Sequence, residues 1–147
     1  MRIAVGCDHG GYTLKAEVLA VVRELGYSGL DFGTHDATAV DYPDFARAVA
    51  QAVVTGEADL GVLICGTGIG MSIAANKVRG AYAAHASDCY SARMARLHNG
   101  ANILTIGGRV LGPDLARLLV RTFLTTEPSA HERHQRRRGL TAELEEG

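Results

Sequence analysis

Five short runs of β-favouring apolar residues are spaced along this chain, and between successive runs the apolar residues recur at helical period. That alternation constrains the fold more than any other feature. A strand–helix–strand unit closes as a right-handed crossover, which makes the sheet parallel and puts helices on its faces. The strand-like runs are Arg2–Cys7, Leu30–Phe32, Leu60–Cys65, Ala81–Ala84 and Asn102–Ile106. Leu14, Val18, Val21, Val22 and Leu25 mark a first helix closing at Gly26; Phe45, Val49, Ala52 and Val53 mark a second. Met71–Lys77 and Ser87–Leu97 read as the third and fourth. Pro113-Asp114 starts a fifth with Leu115, Leu118, Leu119 and Phe123 inward, and Pro128 breaks it. Ser129 is then placed to cap a final polar helix to about Glu146. The expected fold is a three-layer α/β/α sandwich: a five-stranded parallel, Rossmann-like sheet with an extended C-terminal helix, and residues 1–147 form one domain.

Composition narrows the function classes. Hydrophobic residues make up 47% and charged ones 21%, and no apolar stretch approaches the ~20 residues of a membrane span. Met1-Arg2-Ile3-Ala4-Val5 enters a strand at once, so no leader is expected. Cys7, Cys65 and Cys89 are odd in number and widely spaced, a pattern that fits neither a disulfide framework nor a zinc site and points to a reducing cytoplasm. A net charge of −1 offers no global attraction to nucleic acid or membrane. Asp8, His9, His35, Asp36, His85 and His98 include no pair at the i, i+4 spacing typical of paired helical ligands, so neither a metal nor another cofactor is expected.

The richest segment is Leu60-Gly61-Val62-Leu63-Ile64-Cys65-Gly66-Thr67-Gly68-Ile69-Gly70. A buried parallel strand delivers Cys65 to its carboxyl end, where open α/β sheets bind ligands. Three alternating glycines then let the backbone approach a ligand, and a helix start follows, with unpaired N–H groups suited to an oxyanion or a thiolate. Two readings stay open on this segment alone: a small buried hydrophobe in a glycine turn, or a reactive sulfur beside an anion hole. Nucleotide binding fits less well, because the spacing is neither G-x-G-x-x-G nor G-x-x-x-x-G-K-[ST] and no acid ends the Ala81–Ala84 strand.

The tail His131-Glu132-Arg133-His134-Gln135-Arg136-Arg137-Arg138 holds four arginines and one acid. It reads either as a solvated helix face or as a phosphate grip, since Arg133 and Arg137 share one face while Arg136 and Arg138 project elsewhere. No aromatic residue interleaves the run, which argues against nucleic acid. Asp8-His9 follows the first strand, Tyr42 lies in the second loop, His98-Asn99 ends the fourth helix and Arg109 follows the fifth strand. His9 and His98 are expected at the same rim as Cys65, whereas His35 and His85 read as structural.

Gly6-Cys7-Asp8-His9, Asp41-Tyr42-Pro43, Cys65-Gly66-Thr67-Gly68-Ile69-Gly70 with Ile73-Ala74-Ala75-Asn76-Lys77, Tyr90-Ser91-Ala92, His98-Asn99, Gly107-Gly108-Arg109 and Arg133-His134-Gln135-Arg136-Arg137 occur in that order. Together they closely resemble ribose-5-phosphate isomerase type B, in the family that includes galactose-6-phosphate and allose-6-phosphate isomerases, over nearly the whole chain.

The resemblance implies an aldose–ketose isomerase working through an enediolate without a metal. Cys65 would be the base; the amides of Gly66, Gly68, Ile69 and Gly70, with Thr67, would hold the oxyanion; His98 would assist ring opening. Asp8, Tyr42 and Asn99 would bind hydroxyls, and His9, Arg109, Arg133 and Arg137 the phosphate. A branch that uses a glutamate instead is disfavoured, because Met71 stands where that glutamate would fall. The family also implies a homodimer or a dimer of dimers, with His98 and the tail helix of about residues 129–147 reaching a neighbour's pocket. A non-catalytic assembly subunit is disfavoured because every candidate catalytic position is filled. Ribose 5-phosphate is the default substrate, with allose 6-phosphate, galactose 6-phosphate or a tetrose phosphate as alternatives.

Overall fold

The computed structural model describes all 147 residues. Along the chain run β1 (Arg2–Cys7), α1 (Tyr12–Glu24), β2 (Ser28–Asp31), α2 (Tyr42–Val54), β3 (Leu60–Cys65) and α3 (Ile69–Ala75). Then follow β4 (Ala83–His85), α4 (Cys89–Leu97), β5 (Ile103–Gly107), α5 (Pro113–Leu124), α6 (Glu132–Glu143) and a single 3-10 turn, Leu144–Glu146. The five strands are all parallel, in the order β2-β1-β3-β5-β4. Because β2 and β3 flank β1 on opposite sides, the chain reverses its winding between β1 and β3, the place where such sheets open a crevice at their carboxyl ends.

Alternate strand residues serve two cores. Ile3, Val5, Val62, Ile64, Leu104 and Ile106 face α1, α4 and α5, while Ala4, Leu63, Cys65 and Ile103 face α2 and α3. These two cores are the outer interfaces of the α/β/α sandwich. The tail helix α6 belongs to neither, and none of its residues is buried.

Several boundaries differ from the sequence expectation. β2 sits earlier than Leu30–Phe32, since its pairing with Arg2–Val5 fixes it, although Phe32 still donates its N–H to Val5 O at 2.9 Å. β4 starts later than Ala81, and the Asn76 side chain pairs with this short edge strand through both Ala83 N and Ala83 O, at 2.8 and 2.9 Å. α3 begins at Ile69 and stops before Asn76. Tyr42 is the first residue of α2, not a loop residue, because Pro43 in the first turn favours helical backbone from there on. In α5 the buried stripe is Ala116, Leu119, Val120, Phe123 and Leu124, which leaves Leu115 and Leu118 exposed at 39% and 53%. Small Ala116 leads that stripe, facing the layer α5 shares with α1 and α4. His131, not Ser129, caps α6, accepting from Arg133 N at 3.3 Å.

Candidate active site

Cys65 is the last residue of β3, with 5% of its surface exposed, and its Sγ accepts the Gly68 N–H at 3.1 Å. That contact requires Gly68 at φ +85°, a left-handed conformation that glycine adopts without strain. A Cβ at Gly68 would lie 2.7 Å from His85 Nδ1. Thr67 Oγ1 accepts from Ile69 N at 3.2 Å and so closes the turn. The amides of Gly66, Thr67, Gly70 and Met71 meet no acceptor in the chain. A sulfur next to a row of unpaired amides can take a proton from a carbon acid while a developing oxyanion is held.

Neighbouring loops close around this turn. Gly10 packs so tightly on Gly66 that a Cβ there would stand 2.8 Å from Gly66 N. Asp8, 6% exposed, uses Oδ1 to accept from Gly10 N at 2.8 Å and Gly11 N at 3.1 Å, and its second carboxylate oxygen is uncommitted. The loop after β5 pairs with the one after β3, with Gly108 N donating to Cys65 O at 2.8 Å and Arg109 N to Gly66 O at 3.0 Å. This brings the Arg109 guanidinium over Gly66, and Arg109 forms no ion pair in the chain. The Tyr42 ring lies against Gly70, where a Cβ would be 2.7 Å from Cε1. His9 is half-buried, its Nδ1 accepting from Val40 N at 3.2 Å. Asp8, His9, Tyr42, Cys65, Gly66, Thr67, Gly68, Ile69, Gly70 and Arg109 thus gather at one edge of the sheet.

His98, Asn99, Arg133 and Arg137 gather elsewhere. Together with His134 they line an all-polar cleft of about 580 Å³ between the end of α4 and α6. The His98 and His134 rings stack with centroids 4.3 Å apart. Arg138 anchors the tail, donating to His98 O at 3.2 Å and to Ser129 O at 2.7 Å. Partial desolvation, then the positive charge of His98, Arg133, His131 and Arg137, lowers the His134 pKa. At the far end of α6, Glu145 accepts from Gly80 N at 3.1 Å and Glu146 pairs with Arg79.

The two clusters are not neighbours within one chain. In a parallel sheet each helix runs back against the strands, so the end of α4 lies where β5 begins. Cys65 pairs with Gly107 at the other end of β5, four residues from Ile103, or about 13 Å along the strand. His98 therefore does not share the rim of Cys65 and His9, contrary to the sequence expectation. Nor does Arg138 simply project away, for it carries the contact that seats α6. The contacts of His134, Arg138 and Val40 give no signal in the sequence, because each reaches a partner distant along the chain.

Residues 3–140 match the model of the Ribose/Galactose Isomerase family. The chain belongs to that family. It is 45% identical to ribose-5-phosphate isomerase B of Escherichia coli, over 96% of this chain and 95% of that protein. It is 41% identical to the galactose-6-phosphate isomerase subunit LacB of Clostridium acetobutylicum, over 84% of this chain and 72% of that protein. The structure of Clostridium thermocellum ribose-5-phosphate isomerase B superposes with a TM-score of 0.95 at 52% identity, covering 99% of this chain and 98% of that one. The enzyme class of this chain is accordingly that of a sugar-phosphate aldose–ketose isomerase. No helix is long and apolar enough to cross a membrane.

Proposed function

We propose that this isomerase interconverts ribose 5-phosphate and ribulose 5-phosphate without a metal, with Cys65 as the base, at sites shared between two copies of the chain in the cytoplasm. The observation that carries the reading is the Cys65 sulfur at the carboxyl end of β3 beside amides that have no acceptor. In the open-chain aldose, Cys65 takes the proton from C2 and returns it to C1, and the O2 hydroxyl proton passes to O1 as the C2 carbonyl forms. The free amides of Gly66, Thr67 and Gly70, with the Thr67 hydroxyl, hold the negative charge that develops on oxygen as the enediolate forms, while the amides of Gly68 and Ile69 are taken by Cys65 Sγ and Thr67 Oγ1. Asp8, Tyr42 and Asn99 hold hydroxyls, and His98 assists opening of the furanose that precedes proton transfer.

The separation of the two clusters supports the shared site. The Cys65 edge has one free guanidinium, Arg109, whereas Arg133 and Arg137 stand with His98 at the opposite end of the sheet. A two-fold dimer can set the His98–α6 cleft of one copy against the Cys65 edge of the other, twice over. The phosphate is then held by His9 and Arg109 from one copy and by Arg133 and Arg137 from its partner, and binding at that remote group positions the reacting carbons.

A coupled isomerase assay over four-, five- and six-carbon aldose phosphates, run with and without chelator, tests the reading. Ribose 5-phosphate should give the highest kcat/KM, chelator should leave it unchanged, and Cys65→Ala should lose about 10²–10⁴ in kcat with the fold intact. Near-normal turnover by Cys65→Ala would sink the base assignment. A six-carbon preference would replace the substrate, an outcome the likeness to a galactose-6-phosphate isomerase subunit makes worth measuring.

A further inference from the structure

The strap that joins β2 to α2 is pinned at both ends. At its start Lys15, a buried residue of α1, donates from Nζ to Thr34 O at 2.6 Å and to Asp31 Oδ1 at 3.2 Å, and lies 3.3 Å from His35 Nδ1. At its end the Val40 N–H donates to His9 Nδ1 at 3.2 Å. Two residues later Tyr42 opens α2 with its ring on Gly70. The strap thus ties His9 to the same frame as the Cys65 turn.

A backbone amide can only donate, so Nδ1 of His9 is an acceptor and the ring proton resides on Nε2. Nε2 meets no partner within the chain. We infer that the Val40 amide is a positioning group of the isomerase site, fixing His9 as the Nε2–H tautomer so that it offers the substrate phosphate one neutral N–H donor. Which nitrogen of a histidine faces a ligand is set by the hydrogen bond the other makes, and here the strap sets it. In this state His9 supplies direction and not charge, so the dianion is neutralised by Arg109 and by the arginines of α6. The inference rests on the phosphate role proposed for His9; the tautomer does not.

Proton–nitrogen NMR of the histidine rings in the full-length protein, at mildly alkaline pH, tests the tautomer directly. His9 should show an unprotonated Nδ1 and a protonated Nε2, and a protonated Nδ1 would overturn the inference. Inorganic phosphate should then shift the Nε2 resonance, whereas an unmoved Nε2 at saturating phosphate would refute the donor role. Failure of the substrate reading looks different: phosphate would still shift Nε2 while ribose 5-phosphate went unturned. Val40→Pro removes the amide proton, and it should mix the tautomers and raise KM about three- to tenfold, more than it lowers kcat. A folded Val40→Pro protein with unchanged KM and a pure Nε2–H ring would count against the inference. Should that variant fail to fold, amide exchange at Val40 decides: slow in the native protein and fast in His9→Ala as expected, or equal in both, which overturns it.

Discussion

Mixing two impaired variants gives the sharpest test of the proposed shared site. Cys65→Ala removes the proposed base from the β3 edge, and Arg137→Ala removes a guanidinium from the α6 cleft. The latter should cost about tenfold to a hundredfold in kcat/KM, the worth of one charge-assisted contact. Within one chain these residues lie at opposite ends of the sheet, at least the length of β5 apart, about 13 Å by strand rise. In a two-fold dimer, each heterodimer would join the intact Cys65 edge of one copy to the intact Arg137 cleft of the other, and its second site would carry both lesions. Free exchange at equal concentrations makes about half the dimers mixed, so about one quarter of all sites regain both residues. The assay is ribose 5-phosphate isomerisation before and after subunit exchange, with mixed dimers verified by differently tagged copies. Recovery to about a quarter of native kcat is expected. Activity that stays at the sum of the parents, with mixed dimers present, would mean that each site is built from a single chain.

Gly68→Ala should lower the thermal midpoint and depress kcat further than stability alone explains. The new Cβ meets His85 and the Ile106 carbonyl carbon at 2.7 and 2.8 Å, and a non-glycine residue at φ +85° costs about 1–3 kcal/mol. Arg138→Ala, through the loss of its bonds to His98 O and Ser129 O, should loosen α6, raise KM several-fold and speed amide exchange along α6; unchanged exchange would show that the anchor is idle. Cys7 bears on alkaline stability. Burial, only partly offset by the hydrogen bond to Thr34, pushes its thiol from 9.0 up to about 11. The unfolded chain therefore releases this proton first, and the stability Cys7 contributes is present below about pH 9 and lost as pH rises from about 9 to 11. Denaturant titrations of native protein and Cys7→Ala across that range should show the native slope flattened in the variant.

How legible the molecule is from its sequence depends on whether a signal is local. The run Leu60–Cys65 is read to the residue because a central strand buried on both faces is continuously apolar. The edge strands β2 and β4 slip by up to two residues, since pairing and not side-chain pattern fixes their ends. The α5 stripe is misread at Leu115 and Leu118 because hydrophobicity favours the larger residue, while packing beside α1 and α4 places Ala116 inward. Within the site, Cys65 and its glycine turn are contiguous and so are visible in the sequence. The position of His98 follows from the direction of α4, which the parallel sheet already implies: a helix C-terminus lies at the amino ends of the strands. The bonds from Val40 to His9 and from Arg138 to His98 join segments 31 and 40 residues apart, and no periodicity reports them.

The tail helix gives a physical reason for the proposed split site and the proposed dimer to act as one energetic unit. α6 buries none of its residues, and twelve residues are marginal for a helix without packing. Its Arg133 and Arg137 repel one another at i, i+4 and have no acidic partner in the chain. What holds the helix locally is the Arg138 anchor near its middle and, just beyond its C-terminal end, the Glu145 and Glu146 contacts with Gly80 and Arg79. Those contacts hold the middle and the C-terminal end and leave the guanidiniums of Arg133 and Arg137 exposed beside His98. A dianion on the partner copy would relieve their mutual repulsion at the moment the partner's Cys65 edge closes over the sugar. In the proposed dimer, ordering of the tail, phosphate binding and pairing of the copies would draw on the same electrostatic term, so that each would strengthen the other two.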